Sequence, residues 1–163
     1  MDENQKTTLL KWRARYKRAQ LAHNYTAISY GRYHISIGIA LIILTTVASV
    51  LTFEKPIENL LWLPIAVSIS ATIFAAFQTF MKFSEQTEIH RVAGRRYGEL
   101  KKEIEYILDF TSNVSNLPEL TDSIRKKENE IAQESPNALS YNWSKAKKET
   151  QDENDKYSIR NRT

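Results

Sequence analysis

The sequence predicts an all-α membrane protein: a two-transmembrane helical hairpin with long cytoplasmic helical extensions and a third cytoplasmic helix. Three observations carry this. Two runs of about twenty residues contain no ionisable side chain. Basic residues crowd the outer flanks of those runs and are almost missing between them. Apolar residues on both flanks recur at alternating steps of three and four.

The first run is Ile35 to Phe53, and the second is Leu60 to Met81. At about 1.5 Å per residue, each reaches roughly 30 Å, the thickness of a bilayer's hydrocarbon core. Inside hydrocarbon every backbone N–H and C=O needs an internal partner, which a helix supplies and an open strand does not. The alternative, a pair of buried helices in a soluble core, sits poorly with two uncharged runs in a chain of 163 residues. The averages conceal the segregation: mean hydropathy is -0.47 and 26% of residues are charged. The connector at 54–59 is short, so the helices it joins are expected to be antiparallel neighbours. Pro56 stops the first and Pro64 opens the second. Phe53 and Trp62 suit the outer interface, and Tyr30, Tyr33 and Phe83 the inner one.

Lys11, Arg13, Arg15, Lys17, Arg18 and Arg32 precede the first run, and Lys82, Arg91, Arg95, Arg96, Lys101 and Lys102 follow the second. The connector offers Lys55 alone. Positive residues stay on the cytoplasmic side, so both termini are expected inside, in a multi-pass protein of the inner (plasma) membrane. The first run starts too far along the chain for an ordinary cleavable signal and is expected to remain.

Before the first run the stripe is Leu9, Trp12, Tyr16, Ala19, His23, Thr26, Tyr30 and Tyr33. After the second it is Phe83, Gln86, His90, Ala93, Tyr97, Leu100, Ile104 and Ile107. No proline interrupts either, so two long helices are predicted, about 5–53 and 60–110, packed in the manner of an antiparallel coiled coil. Residues 111–116 read as a loop. Leu117-Pro118-Glu119 opens a third helix, and Ser135-Pro136-Asn137 closes it. The chain thus divides into an N-terminal cytoplasmic amphipathic helix (1–34), spans at 35–53 and 60–81, an external turn (54–59), cytoplasmic helices (82–134) and a polar tail (135–163). The tail is expected to be disordered, with Leu139, Tyr141 and Trp143 as the residues able to dock.

Four groups of residues could carry function. Gly38, Thr45, Ser49 and Thr52 share a face of the first span. Ser68, Thr72, Ala75 and Thr79 share one on the second, with Gln78 beside them. Helix packing is the plainer reading of such small and polar residues, and the lining of a pore in an oligomer the sharper one. Arg13, Arg15, Lys17 and Arg18, and Arg91, Arg95 and Arg96, are candidate contacts for anionic lipid or, for the i,i+4 pair Arg91 and Arg95, a phosphate. Lipid and topology are the plainer reading. His23 and His90 fall at similar depths and are candidate neighbours. An interface pair is the plainer reading, and a metal or proton switch would need carboxylates that are not at ligand spacing. Finally, no nucleophile stands near a base, and no acid interrupts a span. With no cysteine, thiolate chemistry and cysteine-held zinc are excluded. No enzyme activity, cofactor, metal or nucleic-acid partner is expected.

An amphipathic helix, two spans on a short turn, a helix bearing His90, Ala93, Tyr97, Leu100, Ile104, Glu105 and Leu108, a third helix and a late Ser-Pro-Asn follow one another over about residues 5–145. This order resembles the SLATT family, two-transmembrane effector domains associated with nucleotide-synthesising or nucleotide-sensing proteins in prokaryotic conflict systems. The resemblance implies a homo-oligomeric effector of anti-phage defence in the lipid bilayer. A nucleotide-signalling protein or a nucleotide second messenger would trigger it to form pores or otherwise break the membrane, arresting or killing the cell. The signal would arrive through a separate protein or through the cytoplasmic helices. A phage holin is the competing reading, though the long stalk and third helix exceed what a hole-former needs. A membrane scaffold recruiting a soluble partner through its stalk is another.

Overall fold

The computed structural model describes residues 1–53, 62–110 and 116–160, the last nine by backbone alone. The connector at 54–59 and residues 111–115 of the expected loop lie outside the described residues. In chain order the elements are α1 (Glu3–Phe53), α2 (Trp62–Met81), α3 (Phe83–Phe110), α4 (Leu117–Glu134) and α5 (Ser140–Arg160). No strand occurs among the described residues. The chain forms two compact units: residues 28–87, and residues 1–27 with 88–163.

In the unit of residues 28–87, α1 and α2 meet along a narrow seam. On α1 the half-buried positions include His34, Ile37, Leu41, Leu44, Ala48 and Leu51, spaced three and four apart. On α2 they include Leu63, Val67 and Ser70, beside the buried Ala71. The other faces are apolar and open: Ile35, Ile39 and Ile42 on α1, and Ile65, Ile69 and Ile73 on α2, are all more than half exposed. Both helices are long and apolar enough to cross a membrane. Their most apolar 18-residue windows have mean hydropathies of 2.3 and 1.6, with 0% and 6% of each window buried.

The uninterrupted helix expected over 60–110 is broken at Lys82, whose φ of 46° lies in the left-handed region. For a residue with a Cβ this costs about 1–2 kcal/mol. The turn lets Phe83, 5% exposed, sit among Tyr30, Tyr33 and Phe77, with ring centroids 6.2, 6.0 and 5.8 Å away. Burying a phenylalanine contributes up to about 3 kcal/mol, enough to offset the strain. Lys82 then closes the first turn of α3: its carbonyl accepts from Gln86 N at 3.0 Å, and its Nζ lies 3.3 Å from Glu85.

The other unit is a helical bundle. The stripes read from the sequence are its interior: Leu9 and Tyr16 of α1, and Leu100, Ile104 and Ile107 of α3, pack with Leu117, Ile124 and Ile131 of α4. α4 begins at Leu117, with Pro118 in its first turn. There the missing N–H would have no intrahelical partner in any case. α1 and α3 approach closely at Gly94 and Gly98. A Cβ at Gly94 would lie 2.3 Å from Asn24 Oδ1, and one at Gly98 2.7 Å from Gln20 Nε2. The i,i+4 glycines thus form a shallow groove for an i,i+4 pair of amides. Gly98→Leu is expected to destabilise the bundle by roughly 1–3 kcal/mol through overpacking. Gly98→Ala should fall much nearer to neutral. The amide end of Gln20 can swing aside, and alanine gains about 1 kcal/mol of helix propensity over glycine. Thermal unfolding of both variants, followed by circular dichroism, measures this.

The expectation of a disordered tail is corrected by α5. Asn142, Ala146 and Thr150, one turn apart, are 3%, 0% and 1% exposed. Leu139 N and Asn142 Nδ2 donate to Thr26 Oγ1 at 3.2 and 3.4 Å, and Arg18 Nε donates to Thr150 Oγ1 at 3.2 Å. Of the residues able to dock, Leu139 is half-buried and Trp143, 40% exposed, borders a cleft against α1 and α4, while Tyr141 stays outside at 79%. α5 is held through small and polar contacts, which leave no apolar period in the sequence.

Candidate functional site

The polar residues of the two apolar segments lie mostly outside the α1–α2 seam. Thr45, Ser49, Thr52, Ser68, Thr72 and Thr79 are exposed. Thr45, Ser49 and Thr52 donate to the carbonyls of Leu41, Thr45 and Ala48 at 2.9, 2.9 and 2.8 Å. Thr72 and Thr79 donate to the carbonyls of Ser68 and Ala75, both at 2.9 Å. Bonding back to the helix satisfies a hydroxyl without water or a neighbouring helix. Gly38 has nothing within 4 Å of where a Cβ would stand, so it makes no close helix contact. Gln78 alone of this set joins the seam, its Nε2 3.4 Å from His34 Nδ1.

Most of the basic candidates are matched by acids. Arg13 pairs with Glu105 at 2.7 Å, Arg15 pairs with Glu128, and Arg96 pairs with Glu134 and, at 3.7 Å, Glu130. These pairs tie α1 to α3, α1 to α4 and α3 to α4. Arg91 and Arg95 do share a face, but both turn to Glu88, at 2.9 and 3.4 Å. A carboxylate therefore sits where the sequence suggested a phosphate, and both arginines are more than half exposed. Exposed pairs of this kind contribute about 0–1 kcal/mol each. Lys17 is half-buried on α1, and Arg18 reaches α5 as described. The spacing of Glu88 from Arg91 could have been read from the sequence. The partnership of Arg15 with Glu128 could not, because it depends on the register of α4.

His23 and His90, placed near one another by the stripes, are in direct contact. Their Nδ1 atoms are 3.0 Å apart, and the residues are 6% and 1% exposed. A hydrogen bond at that distance requires one ring to donate and the other to accept, so the accepting ring is neutral. Burial, and then the neighbouring His90, push the His23 pKa down to about 4. Burial lowers that of His90 as well. Tyr97 stacks on His23, with centroids 5.5 Å apart. No group of three or more potential metal ligands occurs among the described residues.

His23 also borders a cleft of about 710 Å³, with Tyr16, Tyr97, Glu128, Asn137 and Trp143 among its other walls. Tyr16 OH donates to Glu128 Oε2 at 2.8 Å. Burial and the Glu128 carboxylate raise the pKa of Tyr16, and burial raises that of Tyr97. Comparison with known protein families, curated proteins and solved structures finds no match. What the chain does must therefore be argued from its own residues. They offer two open apolar helices with self-satisfied hydroxyls, and an ion-paired bundle with a ring-lined cleft. Three groups shifted chiefly by burial, Tyr16, His23 and Tyr97, meet at that cleft, which makes it the candidate site.

Proposed function

We propose that the chain is a membrane effector of a prokaryotic conflict system. It crosses the inner membrane twice as a hairpin with both termini in the cytoplasm. It oligomerises and breaches the bilayer when a nucleotide-signalling partner triggers it. The observation that carries the membrane assignment is the burial of the apolar windows, 0% and 6%. A core helix of a soluble protein buries such a window, whereas a helix in lipid leaves it open. The distribution of lysine and arginine supports the orientation. The effector role rests on the resemblance to the SLATT family, and the folded bundle gives a partner something to grip.

One observation favours a second reading, a scaffold without a pore. Most of the span hydroxyls, including those of Thr45, Ser49, Thr52, Thr72 and Thr79, bond to their own helices and so need no aqueous path. Induction in bacteria with a voltage-sensitive dye separates the two. A pore-forming effector depolarises cells before growth arrest, and Ser68→Leu/Thr72→Leu/Thr79→Leu removes that effect at matched expression. Gln78 is left in place because it contacts His34. Ile69→Leu/Ile73→Leu, on a neighbouring face, should behave as the parent chain. Unchanged potential at high expression, with and without the partner's signal, would leave the scaffold.

A further inference from the structure

Below the cleft, the space between α1, α3 and α4 is filled by Leu100, Ile104, Ile124 and Ile131. At the cleft, α1 presents Ala19, α4 Ala132 and the α4–α5 connection Ala138. The small side chains leave a cleft that opens to the surface between buried ring residues and exposed walls such as Ala132 and Asn137. Its volume falls within the ~300–1,000 Å³ typical of small-molecule sites. The floor is already organised: Tyr16 is wholly buried and fixed by Glu128, and His23 by His90. Two groups remain available. The Tyr97 hydroxyl has no hydrogen-bond partner among the described residues. Arg15, 54% exposed, turns one Nη to Glu128 and retains further N–H donors.

We propose that this cleft binds a small planar ring compound of net charge zero or minus one. The rings of Tyr97 and Trp143 supply stacking area, and Arg15 and the Tyr97 hydroxyl hold its polar edge. The charge limit follows from the lining. Arg15 and Glu128 balance each other, and the imidazole of His23 is neutral. One negative charge can share Arg15, but a second would face Glu128 with no cation left to meet it. A polyphosphate is therefore a poor occupant. This inference stands whether or not the chain crosses a membrane.

The test uses the full chain in lipid nanodiscs, with empty nanodiscs as blank, and saturation-transfer NMR with three probes. Adenosine is neutral, indole-3-acetate carries one negative charge, and ATP joins adenosine's ring to a polyphosphate. Adenosine and indole-3-acetate are expected to bind saturably, with Kd at or below ~1 mM, and to compete with each other. ATP should bind at least about tenfold more weakly. Ala132→Trp, at an exposed position bordering the cleft, should abolish binding, and Tyr97→Phe should weaken it several-fold. Should Ala132→Trp lose its helical signal, Ala138→Phe fills the same space. Absence of saturable binding by both small probes overturns the proposal. So does ATP binding as tightly as adenosine, or binding that survives in a folded cleft-filled variant.

Discussion

Ile104→Ala is expected to cost the bundle about 2–5 kcal/mol, enough to leave it largely unfolded near its former midpoint. Ile104 is 0% exposed and touches a cluster drawn from three helices, including Leu9, Tyr16 and Ile124. Truncation removes the transfer energy of the lost carbons and leaves a cavity that rigid helices cannot close. Two residues on, Tyr106 is 66% exposed. Tyr106→Ala should change stability by no more than about 0.5 kcal/mol. Denaturant unfolding followed by circular dichroism measures both. A small loss at Ile104 would mean that α3 does not face α4 along this stripe.

The second large effect is on the acid side. His23 and His90 are neutral in the folded bundle, with pKa values below the ordinary 6.5, that of His23 at about 4. The unfolded chain therefore binds more protons than the folded one as pH falls, and stability falls with it. The contribution is complete above about pH 6.5 and is lost between there and about pH 4. By pH 4.5 the His23 share amounts to about 2–3 kcal/mol. Carboxylates titrate at the lower end of that window, so the control is the variant His23→Gln/His90→Gln. It should remain flat from pH 7.5 to 5, while the parent chain loses stability steadily. Parallel curves would remove the buried pair from the account. The two ring nitrogens of the parent should also report neutral tautomers by ¹⁵N NMR at pH 6.

The parts of the fold that the sequence disclosed are those carried by large apolar side chains. Leu9, Tyr16, Leu100 and Ile104 were placed inside by their spacing, and the two uncharged runs are apolar helices. The same spacing brings His23 opposite His90. α5 escaped because Asn142, Ala146 and Thr150 bury too little carbon to leave a period. The turn at Lys82 escaped because neither proline nor glycine marks it; the burial of Phe83 drives it, and that is a tertiary effect. Gly94 and Gly98 stand at i,i+4 in the sequence, but an apolar period does not register them, because a glycine contributes no side chain to it. The cleft was invisible for a related reason: it exists where Ala19 and Ala132 are small, and a missing side chain has no signature until its neighbours are known.

The turn at Lys82 also changes how the two sides of the chain tolerate altered length. An α-helix rotates by about 100° per residue. Within residues 28–87, α1 is unbroken, so Tyr30 and Tyr33, which meet Phe83, lie on a single screw with the Leu44–Ala48 stripe. A residue gained or lost between them swings one set by that angle, and both cannot then keep their partners within this unit. α2 and α3 are under no such obligation. The left-handed residue between them ends one screw and starts another, so the angular phase of Ala71 does not dictate that of Phe83. Within this unit α1 carries its rotational phase through unbroken, and the turn that follows α2 is where a rotational error can be absorbed.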